Sequence, residues 1–308
     1  MAEKQRVGFI GVGLMGHGMA KNILEKGYPL TVMGHRNRAP VDDLVARGAS
    51  EASTAKALAE QVDVVVMCVT SSVQVEDLVR GENGILQAAR PGMIVIDAST
   101  SDPASTLALA DELGRAGVTL LDAPMSRSPV QAEAGTLVVY IGGPEEKIAE
   151  VRGILDAYSE IVILAGPVGN GHKAKLCNNF IAMGYAALWA EAYATCAKAG
   201  VDQQVLYEVV AAAGLNCPNF QNFSKGVLHG DPSAHAFAIA NCTKDLRYYT
   251  QFADALGQST LLGDPVYGVY KIAMAKGYGD QFVPMLGDFM AELNAQTPQR
   301  LTKAAAAE

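Results

Sequence analysis

The sequence predicts an α/β protein in two parts. A doubly wound sheet domain spans residues 1–166, and an all-helical domain spans residues 167–308, entered through a long interdomain helix at about 171–199. Two observations carry this reading. Up to residue 166, short apolar runs alternate with helical patterns, and after Gly171 the strand candidates stop. From there the chain offers almost thirty residues without proline, ended by Gly200.

The strand candidates, in order, are "RVGFIG", "LTVMG", "VDVVVMCV", "MIVIDAS", "TLLDAP", "LVVYIGG" and "IVILAG". Most are β-branched and continuous rather than alternating, which is the pattern of strands covered on both faces. The long helix, "HKAKLCNNFIAMGYAALWAEAYATCAKAG", is apolar nearly all round, Trp189 included, so it is expected to be buried between domains or subunits. Beyond residue 201 the pattern stays helical, broken by "CPN", "HGDPS" and "LGDP", and "TPQRLTKAAAAE" reads as a frayed tail. No internal repeat occurs at a fixed period.

Composition narrows the function. Half of the 308 residues are hydrophobic and 18% are charged, as in an ordinary globular chain. A net charge of -8 opposes sequence-independent attraction to nucleic acid or an anionic membrane, either of which needs a basic face. No apolar run is long enough for a membrane span and the N-terminus runs straight into a strand, so a soluble, cytoplasmic protein is expected. The five cysteines (Cys68, Cys177, Cys196, Cys217, Cys242) form no CxxC pair and read as buried free thiols, Cys177 included. No metal site is expected.

Between the first strand and a helical pattern stands "GVGLMG", Gly11 to Gly16. Glycine at 11 permits a tight turn, Gly13 lets backbone approach a pyrophosphate, and Gly16 allows helix to pack closely on strand. With Leu14 and Met15 this loop delivers a helix N-terminus to the phosphates of a dinucleotide, which marks the sheet domain as Rossmann-type. At the end of the second strand, where an NAD site would place a carboxylate for the ribose 2′-hydroxyl, the chain reads "MGHRNRAP". His35, Arg36 and Asn37, followed by Arg38, offer donors suited to a 2′-phosphate, so the expected cofactor is NADP. The strand ends "CVT" (Cys68, Val69, Thr70) and "AST", with Thr100, are expected to line the cofactor cleft.

Three further stretches carry a family resemblance: "DAPMSRSPVQAEAGTL" from Asp122, "GPVGNGHKAKLCNN" from Gly166, and "TKDL" from Thr243. With them the chain resembles the β-hydroxyacid dehydrogenases, among them 3-hydroxyisobutyrate dehydrogenases, tartronate semialdehyde reductases and sulfolactaldehyde reductases, from about residue 6 to about residue 295. The resemblance implies a catalytic lysine at Lys175, with Asn178 and Asn179 beyond it. Helix geometry makes the same choice independently: 175, 178 and 179 share a face, whereas Lys173 points away from it. An apolar setting disfavours the ammonium form and brings such a lysine toward the range useful for proton transfer.

The resemblance further implies that Ser126 and its neighbours hold a substrate carboxylate, that Asn179 orients the substrate, and that Lys244 meets cofactor or substrate. It also suggests a homodimer or homotetramer. The expected function is hydride transfer between NADPH and a small anionic semialdehyde or 3-hydroxy acid. An imine reductase would lack lysine at 175, and a non-catalytic dinucleotide-binding module would not need it. The chain departs from the family where SGG is replaced by Ser126, Arg127 and Ser128, and a following glycine by Gln131. Arg127 is expected to offer a fork to a second anionic group, and the substrate to be more polar or more anionic than 3-hydroxyisobutyrate.

Overall fold

A computed structural model describes residues 4–34, 37–298 and 300. Nine strands form one sheet: β1 (Val7–Ile10), β2 (Leu30–Met33), β3 (Ser50–Ala52), β4 (Val64–Met67), β5 (Ile94–Asp97), β6 (Thr119–Asp122), β7 (Met125–Ser126), β8 (Leu137–Gly142) and β9 (Ser159–Gly166). Their spatial order is β3-β2-β1-β4-β5-β6-β8-β7, with β9 also on β8. Pairing is parallel from β3 through β6, whereas β8 runs antiparallel to β6 and β7 and parallel to β9. Seven helices alternate with these strands: α1 (Gly16–Glu25), α2 (Ala39–Ala46), α3 (Ala55–Ala59), α4 (Ser72–Arg80), α5 (Pro103–Arg115), α6 (Pro129–Ala134) and α7 (Glu145–Tyr158). Order reverses beside β1, between the β2 and β4 sides, which is the switch point where such sheets take ligands.

The continuous apolar strands are covered on both faces, and successive residues divide between two cores. Phe9, Val64, Val66, Ile94 and Ile96 enter one core, while Ile10, Val65, Met67 and Val95 enter the other. This is the two-residue period of a strand read out as packing. β9 departs from that expectation: Ile161, Ile163 and Leu164 are exposed although their sequence reads as a buried strand. β3 and β7 carry no apolar run and were not legible. Ser50–Ala52 forms a strand by pairing with β2, and Met125–Ser126 by pairing with β8.

The long helix is α8 (Asn170–Lys198), and Gly200 beyond it takes φ 77°, the left-handed turn that ends helices. The chain divides into two compact units between Leu176 and Cys177, inside α8. The second unit contains the rest of α8, with α9 (Gln203–Ala212), α10 (Pro218–His229), α11 (Ile239–Ala255), α12 (Gly263–Ala275) and α13 (Leu286–Leu293). Its core gathers Met183, Ala186, Ala190 and Tyr193 of α8 with Phe220, Phe223, Leu246, Tyr270 and Phe289. Trp189 packs edge-on to Phe220, with ring centroids 5.4 Å apart.

The opposite face of α8 is uncovered within the single chain, with Ile181, Tyr185 and Leu188 exposed. The reading of the cysteines as buried needs correcting. The cysteines are free, but only Cys242 is buried. Cys177 is exposed because it falls on that open side, and the other three are half-buried. Among the described residues, no helix is long and apolar enough to cross a membrane.

Candidate active site

The glycine loop follows β1 directly. Gly11 takes φ 98°, and a Cβ there would lie 2.1 Å from the Cys68 carbonyl oxygen. At Gly16 a Cβ would lie 2.0 Å from the Gly11 carbonyl oxygen. The fold itself therefore requires both of these glycines. Gly13 differs, since a Cβ there would meet nothing within 4 Å. Open space beside a bare backbone is what the approach of a pyrophosphate needs, and the first turn of α1 has no side-chain cap to compete for its N–H groups. Leu14 is exposed and Met15 half-buried at the helix start. These residues fit a dinucleotide.

The second-strand loop is less complete. His35 and Arg36 lie outside the described residues. Asn37 is exposed and accepts the Ala39 N–H at 3.2 Å. Arg38 is engaged by Glu51 and, at 2.9 Å, by Asp42, so its fork is held by carboxylates of its own unit.

The loops after β4 and β5 are tied together. The Val69 N–H donates to Ser99 Oγ at 3.0 Å, and Thr70 donates its hydroxyl to Gln74 Oε1 at 2.6 Å. Thr100 is half-buried beside Ser99 and Ser101, and both of those serines donate to the buried Asp97 carboxylate. Cys68 packs against the core, and burial beside Asp97 pushes its thiol up to about 12, which keeps it protonated and unreactive at neutral pH.

In the second motif, Ser126 Oγ lies 2.6 Å from the Tyr140 hydroxyl across the β7–β8 pair. Arg127 takes φ 87°, which explains why a glycine suits this position. Its guanidinium donates to the Thr136 carbonyl and to Glu160. Ser128 and Gln131 form a capping box at the start of α6. The departures from the SGG pattern are thus bonded within the sheet unit, and Arg127, expected to present a fork to substrate, is turned onto a β9 carboxylate.

At the start of α8, Lys173 donates to Asn170 Oδ1 at 3.0 Å, while Lys175 is half-buried. One turn further along the same continuous helix, in the second unit, Asn179 is buried and its amide donates to Asp245 Oδ2 at 2.7 Å. The exposed Asn178 donates to Asn179 Oδ1 at 3.3 Å. Lys244 pairs with Asp245 Oδ1 at 2.7 Å and stands over the Tyr248 ring. Two residues expected from sequence, Asn179 and Lys244, therefore converge on Asp245, which sequence reasoning missed, and Asn178 reaches it only through Asn179. The "KD" pair was visible, but nothing in it shows that the aspartate faces inward.

A doubly wound sheet whose glycine loop leaves open backbone at a helix start defines a dinucleotide-binding protein. Residues 6–166 match the model of the NAD binding domain of 6-phosphogluconate dehydrogenase. Residues 169–286 match that of the NAD-binding domain of NADP-dependent 3-hydroxyisobutyrate dehydrogenase. The chain is 32% identical over 295 residues to a probable mitochondrial 3-hydroxyisobutyrate dehydrogenase of Dictyostelium discoideum, covering 94% of this chain and 92% of that one. It is 32% identical over 283 residues to an NAD-dependent L-serine dehydrogenase of Pseudomonas aeruginosa, covering 90% and 95%. A structure of Mycobacterium tuberculosis 3-hydroxyisobutyrate dehydrogenase with L-serine superposes with a TM-score of 0.82 at 25% identity, covering 93% of this chain and 99% of that one. The chain belongs to the β-hydroxyacid dehydrogenase family. It is a hydroxyacid dehydrogenase with an NAD(P)-binding domain.

Proposed function

We propose that this chain is an NADP-dependent dehydrogenase of a small 3-hydroxy acid, working in reverse as a semialdehyde reductase, with Lys175 as general acid/base. What supports it most is the spacing on α8, which puts Asn179, tied to Asp245, one turn beyond Lys175. When bound, the nicotinamide supplies or accepts the hydride. Lys175 gives a proton to the carbonyl oxygen during reduction and takes it from the hydroxyl during oxidation. Asn179, its amide oriented by Asp245, aligns the substrate, and the positive charge of Lys244 attracts the anionic ligand. Ser126 and Asn178 supply hydrogen bonds to the carboxylate, and Ser128, capped onto Gln131, holds the loop that carries Ser126.

The preference for NADP rests on the segment 33–40, which has no carboxylate for a 2′-hydroxyl. Because Arg38 is held by Glu51 and Asp42, Arg36 is the arginine assigned to the 2′-phosphate. With Arg127 on Glu160, simple 3-hydroxy acids of the kind named for the relatives are favoured over more heavily charged ones.

The test is kcat/KM for 3-hydroxyisobutyrate, L-serine and 3-hydroxypropionate with each cofactor. A preference for NADP+ of roughly 10-fold or more is expected, reduced in Arg36→Ala through the cofactor KM, the scale of a lost charged contact. Equal efficiency with NAD+ would overturn the cofactor reading. Turnover of cyclic imines but of no hydroxy acid would overturn the substrate reading.

A further inference from the structure

Two strand ends and the first turn of α8 meet in a buried polar cluster that the reaction above does not use. Asp97 ends β5 and Asp122 ends β6, directly opposite each other in register. Both are buried, and so is His172, which is 0% exposed. The Asp122 carboxylate accepts the Gly169 N–H at 2.6 Å through Oδ1 and the His172 N–H at 2.8 Å through Oδ2. One sheet carboxylate thus takes two of the donors that a helix start leaves without partners. Burial pushes the Asp122 carboxyl up, and the neighbouring His172 and these N–H groups work against that rise. The turn lies flush on the strands, since a Cβ on Gly171 would stand 2.6 Å from the Tyr140 carbonyl oxygen and 2.7 Å from that of Asp122.

The imidazole makes the second connection. Thr106 Oγ1 lies 2.7 Å from His172 Nδ1 and donates to the Asp102 carbonyl at 3.1 Å. A hydroxyl has one hydrogen, so Thr106 accepts from a protonated Nδ1. Nε2 then faces Asp97 Oδ2 at 3.7 Å with no hydrogen-bond partner among the described residues. A buried nitrogen in that state needs a reason, and the carboxylate it faces, Asp97, is itself an acceptor. It accepts the Ser99 N–H at 2.9 Å and the Ser101 hydroxyl at 2.7 Å, and Ser99 in turn holds the Val69 N–H. The same carboxylate therefore shapes both loops assigned to the cofactor.

We propose that His172 is a positioning residue for Lys175, three residues further along α8: seated between Asp97, Asp122 and Thr106, it fixes the lysine against the two cofactor loops. This rests on the reading of Lys175 as general acid/base, so the two must be tested together. Lys175→Ala, His172→Ala and the double variant form a cycle, read as kcat and cofactor KM with 3-hydroxyisobutyrate or whichever substrate the parent turns over best. His172→Asn keeps a donor near Nδ1, His172→Gln places one near Nε2, and this pair carries the test should His172→Ala not fold.

His172→Ala is expected to lower kcat by about 10-fold or more with cofactor KM within about 2-fold, and to have no further effect once Lys175 is alanine. Recovery of kcat in His172→Asn or His172→Gln would show which nitrogen holds the helix. An equal loss from His172→Ala in both backgrounds, a loss confined to cofactor KM, or unchanged kcat in His172→Ala or in both polar variants would overturn the proposal while leaving Lys175 in place. Full turnover in Lys175→Ala would instead overturn the reading of Lys175, and the proposal with it.

Discussion

At position 127 an arginine occupies a backbone conformation that suits glycine, with φ 87°. A left-handed L-residue costs about 1–2 kcal/mol, and a half-exposed ion pair such as Arg127–Glu160 returns about 0–1 kcal/mol. The difference is about 1 kcal/mol. Arg127→Gly is therefore expected to leave the melting temperature within a few degrees, about the shift that 1 kcal/mol produces in a chain of this size. The ratio of kcat/KM for simple and doubly anionic substrates should stay within about 3-fold, because the guanidinium is turned onto Glu160. Selective loss of the more anionic substrate would mean that Arg127 leaves Glu160 to read it. The choice of Lys175 over Lys173 rests on helix spacing and on the family motif, and Lys173 is bonded to Asn170. Asp122, Asp97 and His172 were not legible as a cluster, since their meeting depends on strand register and on where α8 begins.

The elements divide in the same way. Strands buried on both faces announce themselves by continuous β-branched runs, and β1, β4 and β5 fill two cores as that pattern requires. β3 and β7 exist only through their partners, so no local signal could mark them. β9 and α8 show the converse, carrying apolar residues that the chain itself does not cover. Met183, Ala186, Ala187, Ala190, Tyr193 and Ala194 follow one buried helical face, whereas Ile181, Tyr185 and Leu188 lie on an exposed one. A face this apolar is characteristic of an association surface, and we propose that it joins two copies of the chain. Light scattering at micromolar concentration is expected to give at least a dimer, shifted toward monomer by Ile181→Glu with Leu188→Glu. A monomeric parent would contradict this.

For the molecule as a whole, the sheet supplies a glycine loop open at Gly13 and two bonded loops at its carboxyl edge, and α8 begins on that same edge with Lys175 in its second turn. The family gives the class of reaction, and we propose its division of labour: hydride from the cofactor, proton from one lysine. Chemistry assigned to Lys175 is the central claim, and its neighbour Lys173 provides an internal control of the same charge on the same helix. The most direct measurement is kcat for Lys175→Ala and Lys173→Ala, each checked by its melting temperature. Lys175→Ala should lose roughly 10²-fold or more, the scale of a removed general acid/base, and Lys173→Ala should stay within about 3-fold of the parent. Similar turnover in the two variants, or a larger loss at Lys173, would contradict the account.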